Sequence, residues 1–338
     1  MSLLTVLNQL AGKHVVIIGD VILDEYIWGD VNRISPEAPV PVLEMASETT
    51  RFGGAANVAQ NIVNLSGRVD LVGVVGDDSN GKKLIHMLEE VGINAEGICI
   101  DSSRPTSTKT RIIARASNTS TSTHQQLVRL DRESKMPVST AIYEQLLKAA
   151  LDRIPHVDAI IFEDYDKGGV STRLIEAALS LARQHGKPVV VDPKVENFWN
   201  YKGVTSITPN HKEAGVALNR QITDEASLIV VGEEILDRLD LESLLITRGE
   251  QGMSLFRRNP EGQLQVDHIL TQAQEVFDDT GAGDTVVAVF TLALAAQADM
   301  LDAARLSNLA GGVVCGEVGC VAVNREQILQ GIHLGERA

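Results

Sequence analysis

Short apolar runs of strand length alternate with helix-period patterns along most of the chain. The runs at 14–18, 71–75, 159–162, 188–191, 206–208 and 244–247 read as strands, and the segments 55–65, 81–91, 140–153, 172–185 and 226–239 as helices. Strands that are apolar on both faces, each followed by a helix, predict an α/β fold. It is doubly wound, with a mostly parallel central sheet and helices on both faces. No internal repeat is visible.

Two stretches break the alternation. In 25–50, the segment Ile34-Ser35-Pro36-Glu37-Ala38-Pro39-Val40-Pro41-Val42 carries three prolines, which suit edge strands or extended chain and not a central strand or helix. In 106–131, two strand-like runs, 109–114 and 126–130, flank the polar run Ser117-Asn118-Thr119-Ser120-Thr121-Ser122-Thr123, which predicts a hairpin with a polar tip. Together the two stretches predict a small sheet that stands off the main body as a lid. The plainer reading is a pair of surface excursions. The whole chain, 1–338, is expected to be one domain carrying this lid.

Composition narrows the partners. Lysines and arginines number 30 against 45 acids, a net charge of −15, which argues against nucleic acid or an anionic membrane as the main partner. Cys99, Cys315 and Cys320 have no metal-ligand spacing, and an odd number fits reduced thiols in a cytoplasmic protein. The N-terminus has no basic region followed by a long apolar run, and no segment reaches the length of a membrane span.

The densest chemistry lies in Asp279-Thr280-Gly281-Ala282-Gly283-Asp284, a small-residue turn leading into the apolar run 286–296. A helix starting there is buried. Its first amides lack intrahelical acceptors and attract an anion, and Gly281 and Gly283 leave room for a phosphate to approach. Asp284 would repel that phosphate unless it takes a proton from the attacking group. Alternatively, it is an N-terminal acid stabilising its own helix.

Other motifs carry less by themselves. Gly76-Asp77-Asp78-Ser79-Asn80-Gly81-Lys82-Lys83 nearly spells a P-loop, but Lys83 stands where a magnesium-binding hydroxyl is needed and two acids would fill the phosphate cradle. A βα turn with a capped helix accounts for it. Gly53 and Gly54 precede a helix that offers Asn57, and Asp24 follows the first strand, where ligands of open α/β sheets bind. Both suit sugar hydroxyls, and both also suit ordinary turns. Asn210 and Glu213, three apart after another strand, are either a reciprocal cap or oxygens that hold magnesium through water. Thr247, Gly249 and Gly252 form a tight turn or the edge of a nucleotide site.

Taken in order, these motifs resemble the ribokinase-like (PfkB) carbohydrate kinases over nearly the whole chain. The resemblance implies that Asp24, Gly53, Gly54 and Asn57 bind a sugar, that Asn210 and Glu213 belong to the Asn-x-x-Glu motif, and that Gly281, Ala282, Gly283 and Asp284 are the Gly-Ala-Gly-Asp motif with Asp284 as base. It places Thr247, Gly249 and Gly252 at the nucleotide, and Asp278 and Thr280 at a monovalent-cation (potassium) site. ATP and magnesium are the expected cofactors, and a homodimer through the lid the expected assembly.

Within the family, the segment 33–42 and the runs 164–168, 192–194, 250–255 and 271–276 are similar to those of bacterial heptose 7-phosphate kinases. That likeness implies phosphorylation of D-glycero-β-D-manno-heptose 7-phosphate at its anomeric hydroxyl. Some relatives continue into an adenylyltransferase with a His-x-Gly-His motif; this sequence lacks that motif and resembles the stand-alone kinase. A kinase for another sugar or a nucleoside, and a sensor that has kept the fold, are the alternatives. Arg33, Lys109 and Arg111 in the lid stretches are the expected ligands of the acceptor's phosphate, with Lys167 and Lys194 as further cations.

Overall fold

The computed structural model describes residues 2–115, 124–271, 280–316 and 319–335. In chain order the elements are α1 (Leu3–Gln9), β1 (His14–Gly19), β2 (Val21–Ile34), β3 (Pro41–Gly54), α2 (Ala55–Asn64), β4 (Arg68–Gly76), α3 (Ser79–Glu90), β5 (Asn94–Asp101), β6 (Thr108–Arg115), β7 (His124–Arg132) and α4 (Thr140–Arg153). There follow β8 (Ala159–Glu163), α5 (Thr172–Gln184), β9 (Val189–Asp192), β10 (Ser206–Ile207), α6 (His211–Ala217), α7 (Glu225–Arg238), β11 (Ser243–Thr247), β12 (Met253–Arg258), β13 (Leu264–Ile269), α8 (Ala282–Ala295), α9 (Met300–Val314) and α10 (Arg325–Gly335).

Among the described residues these strands form two sheets. The larger runs β13-β12-β11-β10-β9-β8-β1-β4-β5. It is parallel from β5 to β11, with β12 and β13 added as antiparallel edge strands. The strand order reverses between β1 and β8, so their carboxyl ends flank the topological switch point, where open α/β sheets bind ligands.

Alternation along each strand sorts the core into two layers. Val15, Ile17, Ala159, Ile161 and Val190 pack with α1, α2, α3, α8, α9 and α10. Val16, Ile18, Ile160, Phe162 and Val191 pack with α4, α5, α6 and α7 on the other face. Helix α8 is apolar all round because it is buried, from Asp284 to Ala293 without interruption. No described helix is long and apolar enough to cross a membrane.

The smaller sheet has the order β3-β2-β6-β7, built from the two stretches that broke the αβ alternation. Pro36 and Pro39 fall in the turn between β2 and β3, and Pro41 starts edge strand β3, where its missing N–H is tolerated. The hairpin of β6 and β7 is as expected; its polar tip lies outside the described residues. At 76–83, Asp78 caps α3 by accepting from the Gly81 amide at 2.8 Å, so the near-P-loop is the capped βα turn it was expected to be.

Candidate active site

The site is assembled by three elements that meet above the switch point. Asp284, in the first turn of α8, is only 3 % exposed. Its Oδ2 accepts a hydrogen bond from Asn57 Nδ2 on α2 at 2.7 Å, and its Oδ1 accepts from the Tyr165 hydroxyl at 3.0 Å. Gly281 makes this approach feasible: it sits at φ +83°, and a Cβ there would stand 2.8 Å from both Asn57 Nδ2 and Cys320 Sγ. Asn61, one turn on from Asn57, donates to the Asn57 carbonyl and accepts from Thr285 Oγ1 and the Val323 amide, tying α2 to α8.

Tyr165 follows β8 and is positioned by Asp20, the residue after β1. The Asp20 carboxylate accepts from the backbone amides of Tyr165 at 2.8 Å and Lys167 at 3.1 Å. The carboxylate at the end of the first strand is therefore Asp20. Asp24, expected in that place, lies instead within β2, because the chain passes directly from β1 into the smaller sheet.

Burial raises Asp284 from the ordinary 3.8 to about 6, against the lowering by its two donors. Its burial and its two side-chain donors set it apart from the exposed acid that commonly serves a helix dipole. Its acidic surroundings extend to Glu163 and Asp192. These face each other across β8 and β9, and burial raises both, Asp192 to about 7. Burial likewise lifts Asp20 to about 6.

On one side of Asp284 opens a cavity of about 490 Å³, lined among others by Lys194, Asn210, Glu213, Thr247, Gly252 and the Gly281–Asp284 turn. Asn210 caps α6 and accepts from the Glu213 amide, while Glu213 Oε2 accepts from the Asn210 amide at 3.0 Å. The reciprocal cap is thus formed, and Glu213 Oε1 also pairs with Lys194. Thr247 bridges to Asn210 as a strand neighbour, and Gly249 and Gly252 shape the turn after β11. Of the expected monovalent-cation pair, Thr280 adjoins Gly281 and Asp278 lies outside the described residues.

On the other side lies one face of the smaller sheet. Register places Asp24 beside Arg51 and Lys109, and Tyr26 beside Thr49 and Arg111; Arg129 and Asp131 continue the row on β7. Arg111 is ion-paired with Asp24 and lies over the Tyr26 ring, 5.3 Å from its centroid. Lys109 faces Asp131 and Glu133, and Lys167 donates to Glu133 at 2.9 Å. Gly53 packs against Asp24, where a Cβ would meet Oδ2 at 2.5 Å, and Gly54 leads into α2 as its N-cap.

Arg33 does not join this group. It lies on β2 nine residues beyond Asp24, roughly 30 Å along an extended strand, and is exposed. The expectation that it gathers with Lys109 and Arg111 is corrected by the length of β2.

Sequence reasoning gave no role to Tyr165, Asp20, Glu163, Asp192 or Arg51, although Tyr165 and Asp192 lie in runs that carry the family likeness. The polar residues following β1, β8 and β9 at the carboxyl edge of a parallel sheet were the available signal for the first four. For Arg51 only strand register, which the sequence does not display, supplies it.

A family profile described as pfkB family carbohydrate kinase matches residues 13–327. A Geobacter metallireducens protein named bifunctional protein HldE is 44% identical over 316 residues, 94% of this chain and 62% of that protein. A Pelobacter propionicus protein of the same name is 40% identical over 98% of this chain and 66% of its own length. The chain thus spans less than two thirds of the length of these relatives.

Among solved structures, phosphofructokinase-2 from Escherichia coli in complex with potassium superposes with a TM-score of 0.76 at 17% identity, covering 96% of this chain and all of that one. Arabidopsis thaliana ribokinase complexed with ribose and ATP superposes at 0.69 and 17% identity, over 95% and 99% of the two chains. These two likenesses concern the fold. With a profile match over residues 13–327, most of its length, the chain belongs to the pfkB family of carbohydrate kinases.

Proposed function

We propose that the chain transfers the γ-phosphoryl group of ATP to the anomeric hydroxyl of D-glycero-β-D-manno-heptose 7-phosphate. The product is the 1,7-bisphosphate, a precursor on the way to ADP-heptose and the lipopolysaccharide core. The observation that carries the reading is the placement of Asp284 between a cavity on one side and the cationic face of the smaller sheet on the other.

In this reading the anomeric oxygen attacks the γ-phosphorus in line, the bond to the bridging β–γ oxygen breaks, and ADP leaves. The hydroxyl proton passes to Asp284, which Asn57 and Tyr165 hold in place. A base at about 6 is ionised at neutral pH yet accepts a proton readily. The amides of Ala282, Gly283 and Asp284 open α8 and face developing charge on the phosphoryl oxygens.

The adenine nucleotide takes the cavity, with Asn210, Thr247, Gly249 and Gly252 along its edge. Magnesium suits the hard carboxylate oxygens there, and Glu213, whose oxygens already serve Asn210 and Lys194, would hold it through water. When bound, it neutralises charge on the phosphates. Thr280, with Asp278, is the proposed potassium position, as the potassium complex of the phosphofructokinase suggests.

The sugar lies against Asp24, Gly53, Gly54 and Asn57, and Lys109 and Arg111 bind its 7-phosphate, with Arg51 and Arg129 as neighbours on the same face. The smaller sheet then acts as a lid on one kinase domain. Its opposite face exposes Val128 and Leu130, which supports pairing with a second copy through the lid. A cytoplasmic location fits a reaction that consumes ATP.

Coupled ADP release measured over a panel of free and phosphorylated sugars and nucleosides tests the reading. Heptose 7-phosphate is expected to give the highest kcat/KM. Preference for an acceptor without a phosphate would overturn it.

A further inference from the structure

The mechanism above uses Asp284 but leaves Glu163 without a task, and Glu163 stands out among the described polar residues. It is fully buried, and neither carboxylate oxygen has a hydrogen-bond partner. Two lone carboxylate oxygens in such a place cost several kcal/mol unless a proton or a cation compensates them.

The surroundings show which compensation the geometry allows. Glu163 and Asp192 end the adjacent parallel strands β8 and β9 in direct register, so their side chains leave the same face of the sheet. That face is the one covered by α8, and the first turn of α8 brings Asp284 to the same point. One oxygen from each of Glu163, Asp192 and Asp284 lies within 4.8 Å of the other two, and all three residues are buried. Three points so spaced lie within about 2.8 Å of a common centre; closing by well under 1 Å gives the 2.0–2.6 Å bonds of magnesium, manganese or calcium.

We propose that Glu163, Asp192 and Asp284 form a divalent-cation site, separate from the water-mediated magnesium position at Glu213. The donor set is three hard oxygens, which selects magnesium, manganese or calcium over softer metals. Asn57 and Tyr165 each use one acceptor direction of the Asp284 oxygens and leave others for the ion. Lys194, a cation whose charge acts on all three, is already ion-paired with Glu213. The groups that face the trio are Lys194, Glu213, Asp164, Asp24, Tyr165, Asn57 and Thr208.

A consequence follows for the kinase reading: an ion held by Asp284 occupies the oxygens that receive the acceptor's proton. Divalent cation in excess of nucleotide then competes with the acceptor's proton and slows turnover. The binding itself does not depend on which sugar is the acceptor, so its test uses protein without sugar or nucleotide.

Manganese titration of the ligand-free protein, followed by electron paramagnetic resonance of the free ion, is the experiment. Wild type is expected to bind Mn2+ at a position that Glu163→Gln weakens at least tenfold and that the double variant Glu213→Gln with Lys194→Met, which removes the neighbouring pair together, does not weaken, with circular dichroism unchanged. Binding to wild type alone should tighten between pH 6 and pH 8 and release protons, since ions and protons compete for the same carboxylates. Equal binding by wild type and Glu163→Gln overturns the proposal. So does binding to wild type that is independent of pH, an outcome that stands even if the variant does not fold.

Discussion

At the carboxyl edge of the larger sheet Asp20, Glu163, Asp164, Asp192 and Asp284 gather near Lys167 and Lys194. On the inner face of the smaller sheet Arg51, Lys109, Arg111 and Arg129 surround Asp24 and Asp131. The first region is acidic because helices on both faces remove its carboxylates from water, and desolvation lifts Asp284 and Asp20 to about 6 and Asp192 to about 7. In the second, burial still raises Asp24 against its pairing with Arg111, but hydrogen bonds and ion pairs hold Asp131 below the ordinary value, and the cations outnumber the acids. Buried acids without matching cations suit proton transfer, whereas a surplus of cations beside a few acids suits a phosphate.

The sharpest way to break the comparison is Asp284→Asn. We expect kcat to fall by about 10²–10⁴, roughly 3–5 kcal/mol of barrier, with KM for both substrates little changed. The same variant should be more stable than wild type. The folded-state value, about 6, lies above the ordinary 3.8, so the ionised form is disfavoured in the folded protein at neutral pH, by about 3 kcal/mol at most. That destabilisation is relieved as pH falls through 6, and Asn removes it at all pH values. A thermal melt at pH 7.5 should show Tm a few degrees higher. A lower Tm with intact kcat would erase the distinction between the regions.

Next in size is Arg111→Ala on the cationic face. It leaves Asp24 buried without its partner and removes a phosphate ligand, so KM for the phosphorylated acceptor should rise about 10- to 100-fold. KM for ATP should stay within about twofold, because Arg111 faces the lid and not the cavity. Equal effects on both substrates would refute the division.

Tyr165→Phe is a smaller test of the acidic edge. The hydroxyl donates to Asp284 and lowers it, so its loss should raise the base further. The acid limb of the kcat profile, expected near pH 6 in wild type, should move to higher pH, with about a 5- to 10-fold loss at pH 7. A simple loss of packing would lower kcat without moving the limb. The smallest effect belongs to Arg33→Ala, less than about twofold on any constant, since Arg33 lies at the far end of β2.

The alternation of 3.6- and 2-residue periods made the αβ layers legible, and α4 was read to the residue. The motifs at 53–57, 210–213, 247–252 and 281–284 were legible because helix starts and tight turns require particular residue types locally. Strand register was not. It decides that Arg51, Lys109 and Arg111 share a face, whereas the length of β2 sets Arg33 apart, and pairing across strands leaves no local trace in the chain. Short strands with mixed patterns, such as β5 and β13, were missed for the same reason: half-buried edges alternate weakly.

Position beyond a strand end was also ambiguous. Asp20 and Asp24 both follow β1, and only the direct passage from β1 into β2 shows which one anchors the Tyr165 loop and which one faces the lid.

The central claim is that Asp284 serves an anomeric hydroxyl of a sugar already carrying a phosphate. Phosphorus NMR of the product formed from ATP and D-glycero-β-D-manno-heptose 7-phosphate tests it most directly. The account predicts one new phosphate resonance coupled to the anomeric proton, with the 7-phosphate resonance retained, and no such product from Asp284→Asn on the same time scale. ADP formed without an anomeric phosphate, or the same product formed at the same rate by Asp284→Asn, would contradict it.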